Sequence, residues 1–178
     1  EKEVTSLQDR GGVKYEINSE VGFTGKYVEF YKDGQKKVEE HLKLGKRHGL
    51  YLEWYENGQK RYEWNYKNGV LDGLRIDWEK NRQKRYKSNW KNGNKNGLSI
   101  VWFENGHKKL EENYRNGKKE GHETEWYENG HKKLEKHYKG VFRTEWYESG
   151  QKDTEGDIKG NNLNGLWISW YKNGQKKN

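Results

Sequence analysis

The 178-residue chain carries 36 basic against 28 acidic side chains, a formal net charge of +8, and only 29% of its residues are hydrophobic. Such polarity argues against a thick globular core, while nine Trp, 13 Tyr and four Phe argue against disorder, because large rings can repay the entropy of ordering. The absence of Cys excludes disulfides, thiolate metal sites and Cys nucleophiles, and no apolar run approaches the roughly 20 residues of a membrane span.

Residues 1–24 read as a degenerate half-repeat or cap, in which Tyr15 to Asn18 resemble the second half of a unit. From residue 25 to the end the chain is periodic. Phe30, Trp54, Trp78, Trp102 and Trp126 follow one another at intervals of 24; Trp146 comes 20 later and Trp170 again 24 later. One repeat is therefore four residues short, near positions 139–141. Gly49 to Gly69 is the clearest copy, and Gly97 to Gly117 follows it closely. The copy from Gly73 keeps the frame but reads Lys80-Asn81-Arg82 where others have Glu-Asn-Gly.

Within a unit, Leu50, Leu52 and Trp54 alternate with Tyr51 and Glu53, which predicts a strand with one apolar face. Asn57-Gly58 then predicts a hairpin turn with positive φ at both residues. After it, Tyr62 and Tyr66 are expected on one face and Arg61 and Glu63 on the other. Lys67-Asn68-Gly69 reads as a Gly-rich return. The apolar slots recur at Leu74, Leu98 and Leu166, and at Ile76, Ile100 and Ile168, so stacked hairpins would form a continuous ribbon of rings. A lone hairpin is not stable in water, which couples neighbouring units. The copy around His122 and Thr124 is expected to be a soft spot. The fold expected is all-β: an elongated single-layer array of tandem antiparallel β-hairpins with a 24-residue period.

Two features suit recognition. Tyr31, Tyr55, Phe103, Tyr127, Tyr147 and Tyr171 each follow the marker and by alternation point away from it, as a row that either contacts a ligand or packs within the chain. Lys60-Arg61, Lys108-Lys109 and Lys132-Lys133, with equivalents at Lys84-Arg85 and Lys176-Lys177, form a basic ladder beside the turns. Glu56, Glu104, Glu128 and Glu148 are expected to neutralise part of it across the hairpin. His107 and His131 occupy a turn slot that is Gln elsewhere and read as solvated. No convergence of His and carboxylates suggests a metal site. Glu128 obeys the repeat phase, whereas catalytic residues break one, so no enzyme, cofactor or metal is expected. Interleaved acidic residues disfavour nucleic acid.

The run Gly-x-x-x-x-Trp-Tyr-Glu-Asn-Gly-Gln-Lys-Lys followed by Tyr-Lys-Asn-Gly resembles the MORN repeat variant of many bacterial proteins. Gly49 to Gly69, Gly97 to Gly117 and Gly165 to Lys177 carry the resemblance best. It implies an array of antiparallel hairpins without catalytic residues, in a family of commonly exported or surface-associated proteins, some antitoxin-like. Eukaryotic relatives are linked to phosphoinositide binding and dimerisation. The reading that follows is a binding or adaptor protein that recognises a protein partner. The alternatives are an anionic lipid-surface or glycan binder and an antitoxin-type protein neutralising a toxin. Exposed terminal strands would allow a homodimer. With no Met even at position 1, a trimmed secretion signal or a cloning boundary is expected. Location is expected to be secreted, periplasmic or at a bacterial surface, with the cytoplasm as the alternative.

Overall fold

Strand-forming aromatics and β-branched residues between Gly-bearing turns leave few other choices, and every regular element described is a strand. The computed structural model describes residues 2–138, 142–159 and 162–177. The chain divides into two units, Glu1–Asn94 and Lys95–Asn178. In the first, β1 (Glu3–Val4) pairs parallel with β4 (Gly25–Phe30). There follow β5 (Lys36–Lys43), β6 (Lys46–Trp54), β7 (Lys60–Lys67), β8 (Val70–Trp78) and β9 (Lys84–Lys91), each antiparallel to the one before. A separate hairpin, β2 (Gln8–Arg10) with β3 (Val13–Tyr15), occupies the region read as a half-repeat. It is fastened by backbone hydrogen bonds from Lys14 to Gly45 and from Phe23 to Lys14. The second unit runs through β10 (Asn94–Trp102), β11 (Lys108–Arg115), β12 (Lys118–Trp126), β13 (Lys132–His137), β14 (Phe142–Trp146), β15 (Lys152–Lys159) and β16 (Asn162–Ser169). These too pair in chain order as hairpins. The all-β hairpin array is thus as expected; the site of the four-residue shortening, near 139–141, lies outside the described residues.

The two turns of a repeat exchange the roles expected of them. At Asn57-Gly58 only Gly58 has positive φ, at 75°. Gly58 N–H donates to the Tyr55 carbonyl and Tyr55 N–H to the Gln59 carbonyl, which is a type I turn closed by a left-handed Gly, a three-residue loop. Asn57 instead accepts the Gln59 N–H through its side chain at 3.2 Å, a local bond that holds the loop without positive φ. The tight two-residue turn is the other one: Lys67 pairs with Val70, and both Asn68 (50°) and Gly69 (88°) are left-handed.

The expectation of a single apolar face also needs correction. Register places Tyr51, Glu53, Tyr62, Trp64 and Tyr66 together, opposite the face of Leu50, Leu52, Trp54 and Glu63. Two bulges produce this. At Gly49, β6 advances four residues (Arg47 to Tyr51) where β5 advances two (Leu42 to Glu40). After the loop, Lys60 pairs with Trp54 while Tyr62 pairs with Glu53, so Arg61 is extra and turns to the Tyr62 face, over that ring. In the first unit both faces bury residues: Val28 and Ile76 on the Trp54 face, Glu40, Tyr51 and Ser88 on the Trp64 face; in the second, Ile100 and Thr124 are buried on one face and Ser99 and Glu123 on the other. Several of these are fully covered, including Val28, Glu40 and Ser88.

Candidate recognition surface

On the Trp64 face of the first unit, one cross-strand row runs Tyr27, Glu40, Tyr51, Trp64, Arg75, Ser88. Glu40 is 1% exposed, and a carboxylate so buried is costly unless paired. Lys14 reaches one of its oxygens and Arg47 Nε the other at 2.6 Å. Burial works against the Arg47 cation, yet its bond to Glu40 outweighs this and holds its pKa above the ordinary value. Arg47 lies over Tyr51 at 4.4 Å and over Tyr66 at 5.3 Å. Tyr51 and Trp64 stack at 5.4 Å with an interplanar angle of 28°, and Tyr62 meets Trp64 at 4.7 Å. Arg75 covers the far side, 4.5 Å from Trp64 and 5.1 Å from Tyr86. Asp77, 1% exposed, accepts from Trp64 Nε1 at 2.7 Å and Arg75 at 2.8 Å. Burial pushes the Tyr51 phenol far up, with its bond to Glu53 adding to the effect. The result is a locked array in which Tyr51 is buried while Arg47, Tyr62, Trp64, Tyr66 and Arg75 remain half-buried at the surface.

The second unit carries ions on the row that Glu112, Glu123 and Lys136 form across β11, β12 and β13. Lys119 bridges Glu112 and Glu123, Lys136 reaches Glu123 at 2.8 Å, and the Tyr138 hydroxyl donates to Glu123 at 2.6 Å. Burial alone would raise the Glu123 pKa; the bonds from Lys119, Lys136 and Tyr138 overcome it and bring it down to about 2.

The loop tyrosines are structural participants. Tyr31 donates its hydroxyl to the Trp54 carbonyl at 2.6 Å, Tyr55 to Trp78 at 2.9 Å, Tyr127 to Trp146 at 2.9 Å and Tyr147 to Trp170 at 2.8 Å. Each clasps the next repeat. Phe103 lacks the hydroxyl, and Tyr171 is exposed. His107 and His131 help: each Nδ1 lies 2.9 Å from a carbonyl of the next loop, Glu128 and Glu148 respectively. A carbonyl only accepts, so Nδ1 carries the proton.

The basic ladder does not form one edge. Lys60, Lys108 and Lys132 stay on the Trp54 face. They bond Glu63 (2.7 Å), Glu111 (2.6 Å) and Glu135 (3.0 Å), and lie within 6.0 Å of the next Trp ring. Arg61 and Lys133 take the other face, with Glu53 (2.8 Å) and Glu125 (3.4 Å); Lys109 lies over Phe103 at 5.4 Å. The turn residues Glu56, Glu104, Glu128 and Glu148, expected to be the partners, are exposed instead, because the loop turns them outward. Sequence reasoning passed over Glu40, Arg47, Trp64, Arg75 and Asp77; the spacing Tyr62, Trp64, Tyr66 was the available signal. Among the described residues no three His, Asp or Glu side chains converge as metal ligands, and no helix is long and apolar enough to cross a membrane.

Four segments, 23–43, 47–68, 95–116 and 119–139, match the MORN repeat variant. Residues 69–94, which hold β8 and β9, and residues 140–178, which hold β14 to β16, lie outside these segments. No curated protein matches the chain. Repeats of this kind are commonly modules that bind proteins or membranes, on a fold without enzymatic activity.

Proposed function

Taking its four MORN repeat variants as the starting point, we propose that the chain is a non-catalytic adaptor that binds a protein partner on the Trp64 face of its first unit. The observation that carries this is the stack of Tyr51 and Trp64 held between Arg47 and Arg75. Tyr, Trp and Arg dominate binding energy at protein interfaces. Here neighbouring carboxylates already fix their geometry, so little freedom is lost on association.

The test is capture of a partner from lysate and surface fractions of the source cell, with purified chain as bait. Tyr62→Ala/Tyr66→Ala is expected to lose the captured protein while its circular dichroism shows the strands still formed, with melting lowered only by the lost ring contacts. Loss instead with Tyr55→Ala/Phe103→Ala/Tyr127→Ala would move the site to the loop row. Capture of no specific protein would refute the adaptor reading.

A further inference from the structure

The hairpin ahead of the repeats is seated on the first return. Lys14 N–H donates to the Gly45 carbonyl at 2.9 Å, and a Cβ at Gly45 would lie 2.6 Å from the Lys14 carbonyl, so only glycine lets β3 come this close to the turn between β5 and β6. Between that hairpin and the next return lies a cleft of about 570 Å³, a volume typical of ligand sites. Its walls are apolar: Val13 from β3, Leu42 from β5, Tyr66 from β7 and Val70 from β8, the last 46% exposed. Its cations are Lys14, Lys46 and Arg47. Asp9 is the one carboxylate among the described lining residues, and it accepts the Gly12 N–H at 2.8 Å. Lys14 bonds one oxygen of the buried Glu40 and Arg47 the other, so three cations stand against two carboxylates that are already satisfied. Lys46 is exposed, runs beside Gly69 and forms no ion pair among the described residues. The cleft is also continuous with the ring array: Arg47 and Tyr66, which line it, both pack on Tyr51, at 4.4 and 6.3 Å.

We infer that this cleft binds an acidic segment of the protein partner in which an aliphatic side chain stands beside a carboxylate. Val13, Leu42 and Val70 cover the aliphatic group, and the carboxylate meets Lys46, the cation with no internal partner. Because Arg47 and Tyr66 belong to both surfaces, a chain anchored in the cleft runs on over the ring array, whereas a small free acid would use the cleft alone. The inference rests on the adaptor reading and gives that partner a chemistry and an anchor point.

The test titrates the full chain with fluorescein-labelled Glu-Glu-Leu-Leu-Glu-Glu at low salt, read by anisotropy. Wild type is expected to bind it about tenfold more tightly than labelled hexaglutamate, which has nothing to bury. Lys46→Glu is expected to weaken binding about tenfold and Val70→Asn about fivefold, both with the strands still formed by circular dichroism. Lys118 holds the same position of a return in the second unit; Lys118→Glu makes the same change in net charge and is expected to leave binding within about twofold. Equal binding of hexaglutamate, equal loss in Lys46→Glu and Lys118→Glu, or no binding by wild type overturns the site. So does Lys46-dependent retention on phosphatidylserine vesicles by a chain that ignores the leucine peptide. The two readings fail separately. A specific partner that Lys46→Glu and Val70→Asn capture as well as wild type removes only this site; Lys46-dependent peptide binding with no captured protein removes only the adaptor reading.

Discussion

A single hydroxyl decides how firmly one repeat holds the next. Tyr127 makes the clasp onto Trp146, while Phe103, in the equivalent slot of the preceding loop, has nothing to donate to the Trp126 carbonyl. Replacing Phe103 with Tyr adds a hydrogen bond to a geometry that four other loops already show to be feasible. The expected gain is about 1 kcal/mol, read as a rise in melting temperature, and Tyr127→Phe is expected to lose a similar amount. No change in either variant would mean that water satisfies these carbonyls equally well. The same scale explains why Tyr31, Tyr55, Tyr127 and Tyr147 do not present free phenols: the residue after the marker starts the loop, so strand alternation no longer governs where it points.

At the scale of the element, the tight turn between hairpins demands two left-handed residues. Asn68, Asn92 and Asn116 meet that demand with a side chain suited to it, whereas the first such turn places Leu44 there at φ 50°, 61% exposed. Leu44→Asn is expected to stabilise the chain by about 0.5–1 kcal/mol, measured by chemical denaturation; a destabilised variant would show that Leu44 makes a compensating contact. The period, the hairpins and their order could be read directly from Trp spacing and the Asn-Gly pairs, because both are local signals. The faces could not. Alternation predicts a face only while pairing is regular, and the bulges at Gly49 and Arg61 each reset it. Nor could the Trp64 cluster be assembled in advance, since Glu40, Arg47 and Asp77 meet it across strands whose register those bulges determine.

At the scale of the whole molecule, buried carboxylates keep different company in the two units: Glu40 and Asp77 of the first sit among stacked rings and arginines, Glu112 and Glu123 of the second among lysines. The Glu123 pKa lies below its unfolded value, so the stability it contributes is fully present above the ordinary carboxylate range and is lost as pH falls toward 2. The contribution is on the order of 3 kcal/mol. Acidification through pH 4 to 2 is therefore expected to cost β11 to β13 their hydrogen-exchange protection before β5 to β8. Glu123→Gln, already unable to ionise, is expected to be less stable at neutral pH and to show a flatter acid limb. Simultaneous loss in both units, unaltered by Glu123→Gln, would refute this assignment.

The clasp has a bearing on how such a chain can change length. Tyr31, Tyr55 and Tyr147 reach 23 residues ahead, but Tyr127 reaches only 19 and makes the same bond. Asn129 likewise reaches Glu148 across 19 residues. The four-residue loss lies at the return end of the hairpin, away from the clasped loops. Insertions and deletions at the returns are thus buffered, whereas the loop end admits changes only in whole repeats. Unequal crossing-over between copies, which adds or removes units of one period, leaves every clasp with a partner.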